Sequence, residues 1–238
     1  MYRFGLVGYG NWGKVLSRTL NLVGRIDFIS NTKQTYKKQK KIDFCFVATP
    51  DNLHFKIVKY FLKKKIKVFC EKPLSRNLSE SKQLIKLSKE NKTCFFINHI
   101  ELFKKKKIKI KKINNIVRKK NSDGPIKDVL WKFCYHDLYL LYDQLKNKKL
   151  KIKLISLKTK SLKFLINEGS RDYIFFYDYQ SQKKIHKINS VNFVTKVNYL
   201  KIMILAFVKN NINYELNHKQ AVFCIKTIIL INKKIFKI

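Results

Sequence analysis

Arg3-Phe-Gly-Leu-Val-Gly-Tyr-Gly-Asn-Trp-Gly-Lys-Val-Leu-Ser-Arg-Thr-Leu20 decides how this chain folds. A short apolar run ends in Gly8-x-Gly10-x-x-Gly13, and Val15, Leu16, Leu20 and Val23 follow at helical spacing. Strand, glycine turn and helix in that order point to a dinucleotide-binding unit. Gly8 permits the tight turn, Gly10 lets a pyrophosphate approach the backbone, and Gly13 lets helix and strand pack closely. Tyr9, Asn11 and Trp12 complete the loop, and the helix N-terminus offers N–H groups and the positive end of its dipole. The competing reading is a glycine-rich turn without a ligand.

The rest of the first half repeats the alternation. Strands are expected at Ile26–Ser30, Ile42–Ala48, Val68–Cys70 and Thr93–Ile97. Helices are expected over Leu53–Leu62 and after Asn77, which forms an N-cap and N3 pair with Glu80. Gly24 reads as the C-cap of the first helix. Alternating strands and helices give a parallel sheet with helices on both faces, and ligands sit beyond the carboxyl ends of its strands. Gly8–Gly13, Thr49-Pro50, Glu71-Lys72-Pro73 and Asn98 all fall at such ends. The second strand ends in Ser30-Asn31-Thr32-Lys33, with no carboxylate to hold a ribose 2′-hydroxyl and a cation nearby. NAD and NADP both remain open, with a lean towards NADP.

Composition narrows the classes. The chain has 238 residues, 45% of them hydrophobic, which excludes a disordered chain and allows one large domain or two small ones. Lys and Arg number 53 against 15 Asp and Glu, a net charge of +38. The lysines run through the whole length beside many Ile, Asn, Phe and Tyr, as in an AT-rich gene, and no nucleic-acid-binding signature accompanies them. No specific nucleic-acid partner is therefore expected. The five cysteines are scattered, with no C-x-x-C spacing, so neither a disulfide framework nor a metal site is expected. No apolar run reaches the length of a membrane span, and the chain enters a strand directly; a reducing, cytoplasmic setting is the expectation.

Gly8-Tyr-Gly-Asn-Trp-Gly13, Val47-Ala-Thr-Pro50, Asn52-x-His54 and Glu71-Lys72-Pro73 at these distances resemble the glucose–fructose oxidoreductase, inositol dehydrogenase and rhizopine-catabolism (Gfo/Idh/MocA) family. Asn98-His99 and Trp131-Lys-Phe-Cys-Tyr-His136-Asp137-Leu resemble its sugar-nucleotide branch. The resemblance implies a Rossmann-type domain over 1–98 and a shortened α+β domain over 99–238. The second would carry a mainly antiparallel sheet that supports the substrate pocket and often an oligomer interface, and its closing helices would be free to pack back on the first. It implies NAD or NADP as cofactor, bound by Gly8, Tyr9, Gly10, Asn11, Trp12, Gly13, Asn31, Thr49, Pro50, His54, Glu71, Lys72 and Asn98. It assigns Lys72 to fixing the substrate and His136 to accepting the hydroxyl proton, with Asp137 also on the substrate. An imidazole suits proton transfer near neutral pH, and an ammonium stabilises a developing alkoxide. For His136, capping of a helix start competes with that role.

The second half read alone is less decisive. Phe103–Lys120 reads as a solvated helix or strand edge, His136–Lys146 as one helix, Ile152–Val197 as alternating strands with one wet face, and Leu200–Val208 and Gln220–Ile231 as helices. His186 and His218 belong to no visible constellation. One departure matters: the family commonly has an aspartate four residues before the histidine, and here Lys132 stands there. A cation so close would make His136 a poorer base. Lys132 points away towards Asp128, or Asp137 replaces the lost carboxylate, or the enzyme is slow or inactive. The expected function is an NAD(P)-dependent oxidoreductase acting on a secondary hydroxyl or ketone of a sugar, sugar nucleotide or polyol. The alternative is a catalytically impaired nucleotide-binding relative with a non-enzymatic role.

Overall fold

A computed structural model describes residues 1–31, 35–37, 41–108, 113–194 and 196–237, with side chains 105–108 left aside. Thr32 and Lys33, and with them the lean towards a 2′-phosphate, lie outside the described residues. The chain divides into two compact units. The first comprises Met1–Ile100 and Asn198–Ile225, and the second Glu101–Val197 and Lys226–Ile238.

The first unit is a five-stranded parallel sheet in the order β2-β1-β3-β4-β5. Its strands are β1 (Arg3–Val7), β2 (Arg25–Ser30), β3 (Phe44–Val47), β4 (Lys67–Cys70) and β5 (Phe95–Ile97). Side chains alternate between two covered faces, which is why the strands read as unbroken apolar runs. Val7, Cys45, Val47, Val68, Cys70, Phe95 and Ile97 share one core with Ile57, Val58, Phe61 and Leu62 of α2 (His54–Lys63) and Leu84 of α3 (Leu78–Glu90). On the other face, Phe44, Phe46, Phe69 and Phe96 surround the ring of Phe207 from α7 (Tyr199–Val208).

The edge strand β5 is covered by α8 (Tyr214–Ile235). Asn217 imitates a neighbouring strand, accepting from Ile97 N–H at 2.9 Å and donating to Ile97 O at 3.0 Å. His218 donates to Phe95 O at 2.9 Å and stacks on the Phe95 ring. An amide and an imidazole thus satisfy backbone groups that an open edge would leave unpaired. His218, read as isolated in sequence, is therefore engaged.

Two local readings change. Helix α1 (Asn11–Leu20) ends on Asn21, not Gly24, and its Val15 is 38% exposed. Gly24 serves packing instead: a Cβ there would stand 2.6 Å from Tyr2 O. At α3, Asn77 caps as expected, accepting from Ser79 N–H at 2.8 Å. Glu80 bonds the Ser75 hydroxyl, which in turn accepts from Asn77 N–H at 2.9 Å.

The second unit holds a six-stranded sheet in the order β11-β10-β6-β9-β8-β7. Its strands are β6 (Asn115–Lys119), β7 (Lys151–Lys158), β8 (Ser161–Asn167), β9 (Asp172–Asp178), β10 (Ile185–Ile188) and β11 (Val191–Asn192). All pairs are antiparallel except β6 with β9. Leu162, Phe164 and Ile166 alternate into the core with Tyr173, Phe175 and Tyr177. The expectation of a solvated Phe103–Lys120 fails at β6, an interior strand that buries Ile116 and almost buries Arg118. The single helix expected over His136–Lys146 is also replaced. A π-helical turn, Leu130–Cys134, leads into α5 (Tyr135–Leu140), and Leu141 separates that from α6 (Tyr142–Leu145). Between β5 and β6 runs α4 (Ile100–Ile108). Among the described residues no helix is long and apolar enough to cross a membrane.

Candidate functional site

Gly8, Ala48, Glu71 and Asn98 stand side by side at the carboxyl edge of the first sheet. Each is the first residue after its strand, and each extends the ladder by one bond to the next strand. Gly8 N–H donates to Ser30 O at 2.8 Å, Ala48 to Val7 O at 2.8 Å, Glu71 to Val47 O at 2.9 Å and Asn98 to Cys70 O at 2.9 Å. Strand spacing then sets the turns about 4.8 Å apart in one row. The order of strands reverses at β1, with β2 on one side and β3 on the other, so the glycine loop leaves the sheet at its switch point.

The three glycines separate by geometry. Gly8 has φ +100°, and a Cβ there would lie 2.5 Å from the Ala48 carbonyl. A Cβ on Gly13 would lie 2.1 Å from Gly8 O, so this glycine lets α1 approach the turn. A Cβ on Gly10 would meet nothing within 4 Å. Space is therefore left at the one glycine where a pyrophosphate is expected to approach. Helix α1 starts there with no side-chain cap and no acidic residue in its first turn. Its first N–H groups point outward with the positive end of the dipole. Its donor set and its space fit a dinucleotide diphosphate.

The expected neighbours are in place around that loop. Trp12 Nε1 and Asn98 Nδ2 both donate to Glu71 Oε1, the latter at 2.6 Å. Burial raises the Glu71 pKa, while these two bonds oppose the rise. Asn98 Oδ1 accepts from Ile100 N–H at 3.0 Å, so Asn98 is braced at both ends and serves to hold Glu71. His54 lies buried between Pro73 O, 2.7 Å from Nδ1, and Thr49 O, 2.9 Å from Nε2. It ties the turn after β3 to the turn after β4. Burial holds its pKa below the ordinary imidazole value, and a neutral ring donates to one of the two carbonyls. Thr49 Oγ1 is buried with no hydrogen-bond partner among the described residues, a donor and acceptor suited to a bound polar group. Tyr9 and Asn11 are exposed on the loop, Asn31 is exposed beyond β2, and Pro50 opens the turn before Asp51. Lys72 follows Glu71 and precedes Pro73 through a cis peptide bond.

His136 belongs to the second unit and sits half-buried on α5. Its Nδ1 lies 3.0 Å from the hydroxyl of Tyr139, one turn on. Lys132 turns away: its Nζ donates to Asp123 O at 2.7 Å, beside Gly124, where the Asp128 carboxylate also lies. Asp137, expected at the substrate, is fully buried with both oxygens engaged inside its own unit. Oδ1 accepts from Arg118 at 2.6 Å and Oδ2 from the Tyr177 hydroxyl at 3.0 Å. It therefore does not replace a carboxylate beside His136.

Arg118 and its partners form a buried cluster that sequence reading missed. Arg118 Nη2 also donates to His186 Nε2 at 2.9 Å, and Nη1 lies 3.6 Å from Glu101 Oε1, which Lys104 joins through Oε2 at 2.9 Å. Burial alone would push the Asp137 pKa up, yet the Arg118 guanidinium holds it below the ordinary carboxylate value. Burial and Arg118 keep the His186 pKa low, so the ring is neutral and accepts from the guanidinium. His186, expected to stand apart, is thus a member of this cluster. His99 is fully buried, its pKa lowered by burial to about 3, and its Nδ1 accepts from Asn217 Nδ2 at 3.0 Å. No spacing in the sequence signals these contacts; only the His136–Tyr139 pair has one, at i,i+3.

With this geometry in view, comparison with known proteins is informative. A profile described as the Gfo/Idh/MocA oxidoreductase family, NAD-binding Rossmann fold, matches residues 23–99. Residues 23–99 are thus similar to that family. The Escherichia coli protein named Uncharacterized oxidoreductase YgjR is 34% identical over 71 residues, covering 30% of this chain and 22% of that protein. The chain thus spans between a fifth and a third of the curated relatives it matches. Solved structures extend the likeness in fold to nearly the whole length. UDP-N-acetylglucosamine 3-dehydrogenase GnnA from Acidithiobacillus ferrooxidans superposes with a TM-score of 0.78 at 12% identity, covering 97% of this chain and 96% of that one. The WlbA dehydrogenase from Thermus thermophilus, solved with NAD and alpha-ketoglutarate, gives 0.72 at 12% identity, with 97% and 94% covered.

Proposed function

We propose that this chain belongs to the Gfo/Idh/MocA family and is an NAD(P)-dependent dehydrogenase acting on a secondary hydroxyl or ketone of a nucleotide sugar. The observation that carries the reading is the row Gly8, Ala48, Glu71, Asn98 with open space at Gly10. The N–H groups at the start of α1 would hold the diphosphate, and Thr49, Tyr9, Asn11, Asn31 and Pro50 would line the rest of the cofactor. When bound, the nicotinamide supplies the hydride acceptor or donor. Lys72 holds the reacting oxygen and stabilises charge that develops on it. His136 takes the hydroxyl proton, a contribution of about 10²–10⁴-fold. Trp12, Asn98 and His54 keep the Glu71-Lys72-Pro73 turn in place. The named activity of GnnA supports a UDP-sugar as the substrate class.

A panel of UDP-sugars with NAD and with NADP, followed through nicotinamide absorbance, tests this. Saturable turnover with at least one sugar is the expected result. Cofactor binding with no turnover on any sugar would instead favour the non-enzymatic alternative.

A further inference from the structure

The geometry points to an anion subsite within the second unit: Lys120 and Lys184, backed by Lys104, hold the diphosphate of the nucleotide sugar. This rests on the nucleotide-sugar reading given above.

The sheet itself brings the cations together. Strands β6 and β10 run antiparallel, with Ile116 opposite Ile188 and Arg118 opposite His186. These side chains point to the covered face of the sheet. Side chains alternate along a strand, so Lys120 and Lys184, two residues beyond Arg118 and His186, come to that same face opposite each other. Lys120 N–H donates to Asp178 O at 3.0 Å, so the ladder with β9 still holds the backbone there. Like charges directly opposite across two strands repel. Burial and the neighbouring Lys104 and Lys120 cations push the Lys184 pKa down, against the pull of Glu101. Among the described residues neither the Lys120 nor the Lys184 side chain has an ion-pair or hydrogen-bond partner.

The carboxylates of this group are already engaged. Asp137 is bound to Arg118 and Tyr177. Glu101 is 5% exposed and is shared between Arg118 Nη1 at 3.6 Å and Lys104 Nζ at 2.9 Å. Lys104, Arg118, Lys120 and Lys184 thus gather round two carboxylates, and the excess positive charge lies on the two exposed lysines, where a ligand reaches it from solvent. Paired ammonium groups suit a diphosphate, whose charge is spread over two phosphates. The group also adjoins the proposed base. The Tyr139 hydroxyl accepts from Glu101 N–H at 3.0 Å and lies 3.0 Å from His136 Nδ1. In a nucleotide sugar the sugar ring separates the reacting hydroxyl from the diphosphate, so the cations belong near the base but not on it.

The test is calorimetric titration of the full chain with UDP, with and without NADH. Wild type should bind UDP in both cases. Lys120→Gln/Lys184→Gln should bind UDP at least about tenfold more weakly, bind NADH as wild type does, and melt no lower, since the substitutions relieve repulsion. Lys151→Gln/Lys153→Gln removes the same charge from exposed positions of β7 and should leave UDP affinity within about twofold. Wild type that takes up no UDP, or an equal loss in both double variants, would overturn the proposal. So would turnover of a UDP-sugar whose KM is unchanged in Lys120→Gln/Lys184→Gln, a result that leaves the dehydrogenase reading standing. UDP binding that depends on Lys120 and Lys184, with no turnover of any UDP-sugar, supports the subsite and removes the dehydrogenase reading instead.

Discussion

Alanine at Lys72 or at His136 is expected to cut turnover by about 10²–10⁴-fold, with cofactor affinity within about twofold of wild type. The two losses have different causes. His136→Ala removes the proton acceptor, so added imidazole should restore part of the rate. Lys72→Ala removes the cation beside the reacting oxygen, which amines restore less readily because the ammonium is placed by the turn between Glu71 and Pro73. Neither variant touches the bonds that carry the cofactor row, which run through the backbone of Gly8, Ala48, Glu71 and Asn98. Steady-state kinetics and a parallel cofactor titration check both halves. Unchanged turnover in His136→Ala would remove that residue from the chemistry.

The largest stability effect is expected at Arg118. Its guanidinium is the cation of a buried cluster containing Asp137 and Glu101, and its side chain is 12% exposed. Arg118→Met leaves those carboxylates without it, a loss of about 3–5 kcal/mol. For a chain of this size that lowers the melting temperature by roughly 6–20 °C. Lys151→Met, at an exposed position of β7, serves as the control and should stay within about 0.5 kcal/mol. The pH dependence follows from sign. The folded pKa of Asp137 is depressed, so its contribution is present above the ordinary carboxylate value and lost as pH falls through the depressed one. Arg118→Met should flatten that acid limb. A melting temperature within about 2 °C of wild type would show that the cluster does not stabilise the second unit.

The contrast between these sites explains what the sequence disclosed. The glycine loop was legible because strand, turn and helix follow one another within Arg3–Leu20, and Gly8 and Gly13 each meet a local steric demand. The other turns were legible because parallel strands end together, so residues far apart in sequence share one edge. Arg118 was not legible. It is one cation among 53, and its partners at 101, 137 and 186 obey no period. The lysine-rich flank made β6 look like surface, although its pairing with β9 and β10 places it inside the sheet. Asp137 beside His136 looked like part of the same site, but successive helical residues point about 100° apart, and one faces Tyr139 while the other faces Arg118. The Lys132 question could not be answered from spacing alone, because a long side chain at that position has room to reach Asp123.

The central claim is that backbone amides after β1 grip a dinucleotide through the space at Gly10. Calorimetric titration of the intact chain with NADH and NADPH, beside Gly10→Val, tests it most directly. A Cβ at this position meets no protein atom within 4 Å, so the variant should melt with wild type while binding at least about tenfold more weakly. Folded wild-type protein that takes up neither nucleotide, or a Gly10→Val variant that binds as tightly as wild type, would contradict the account.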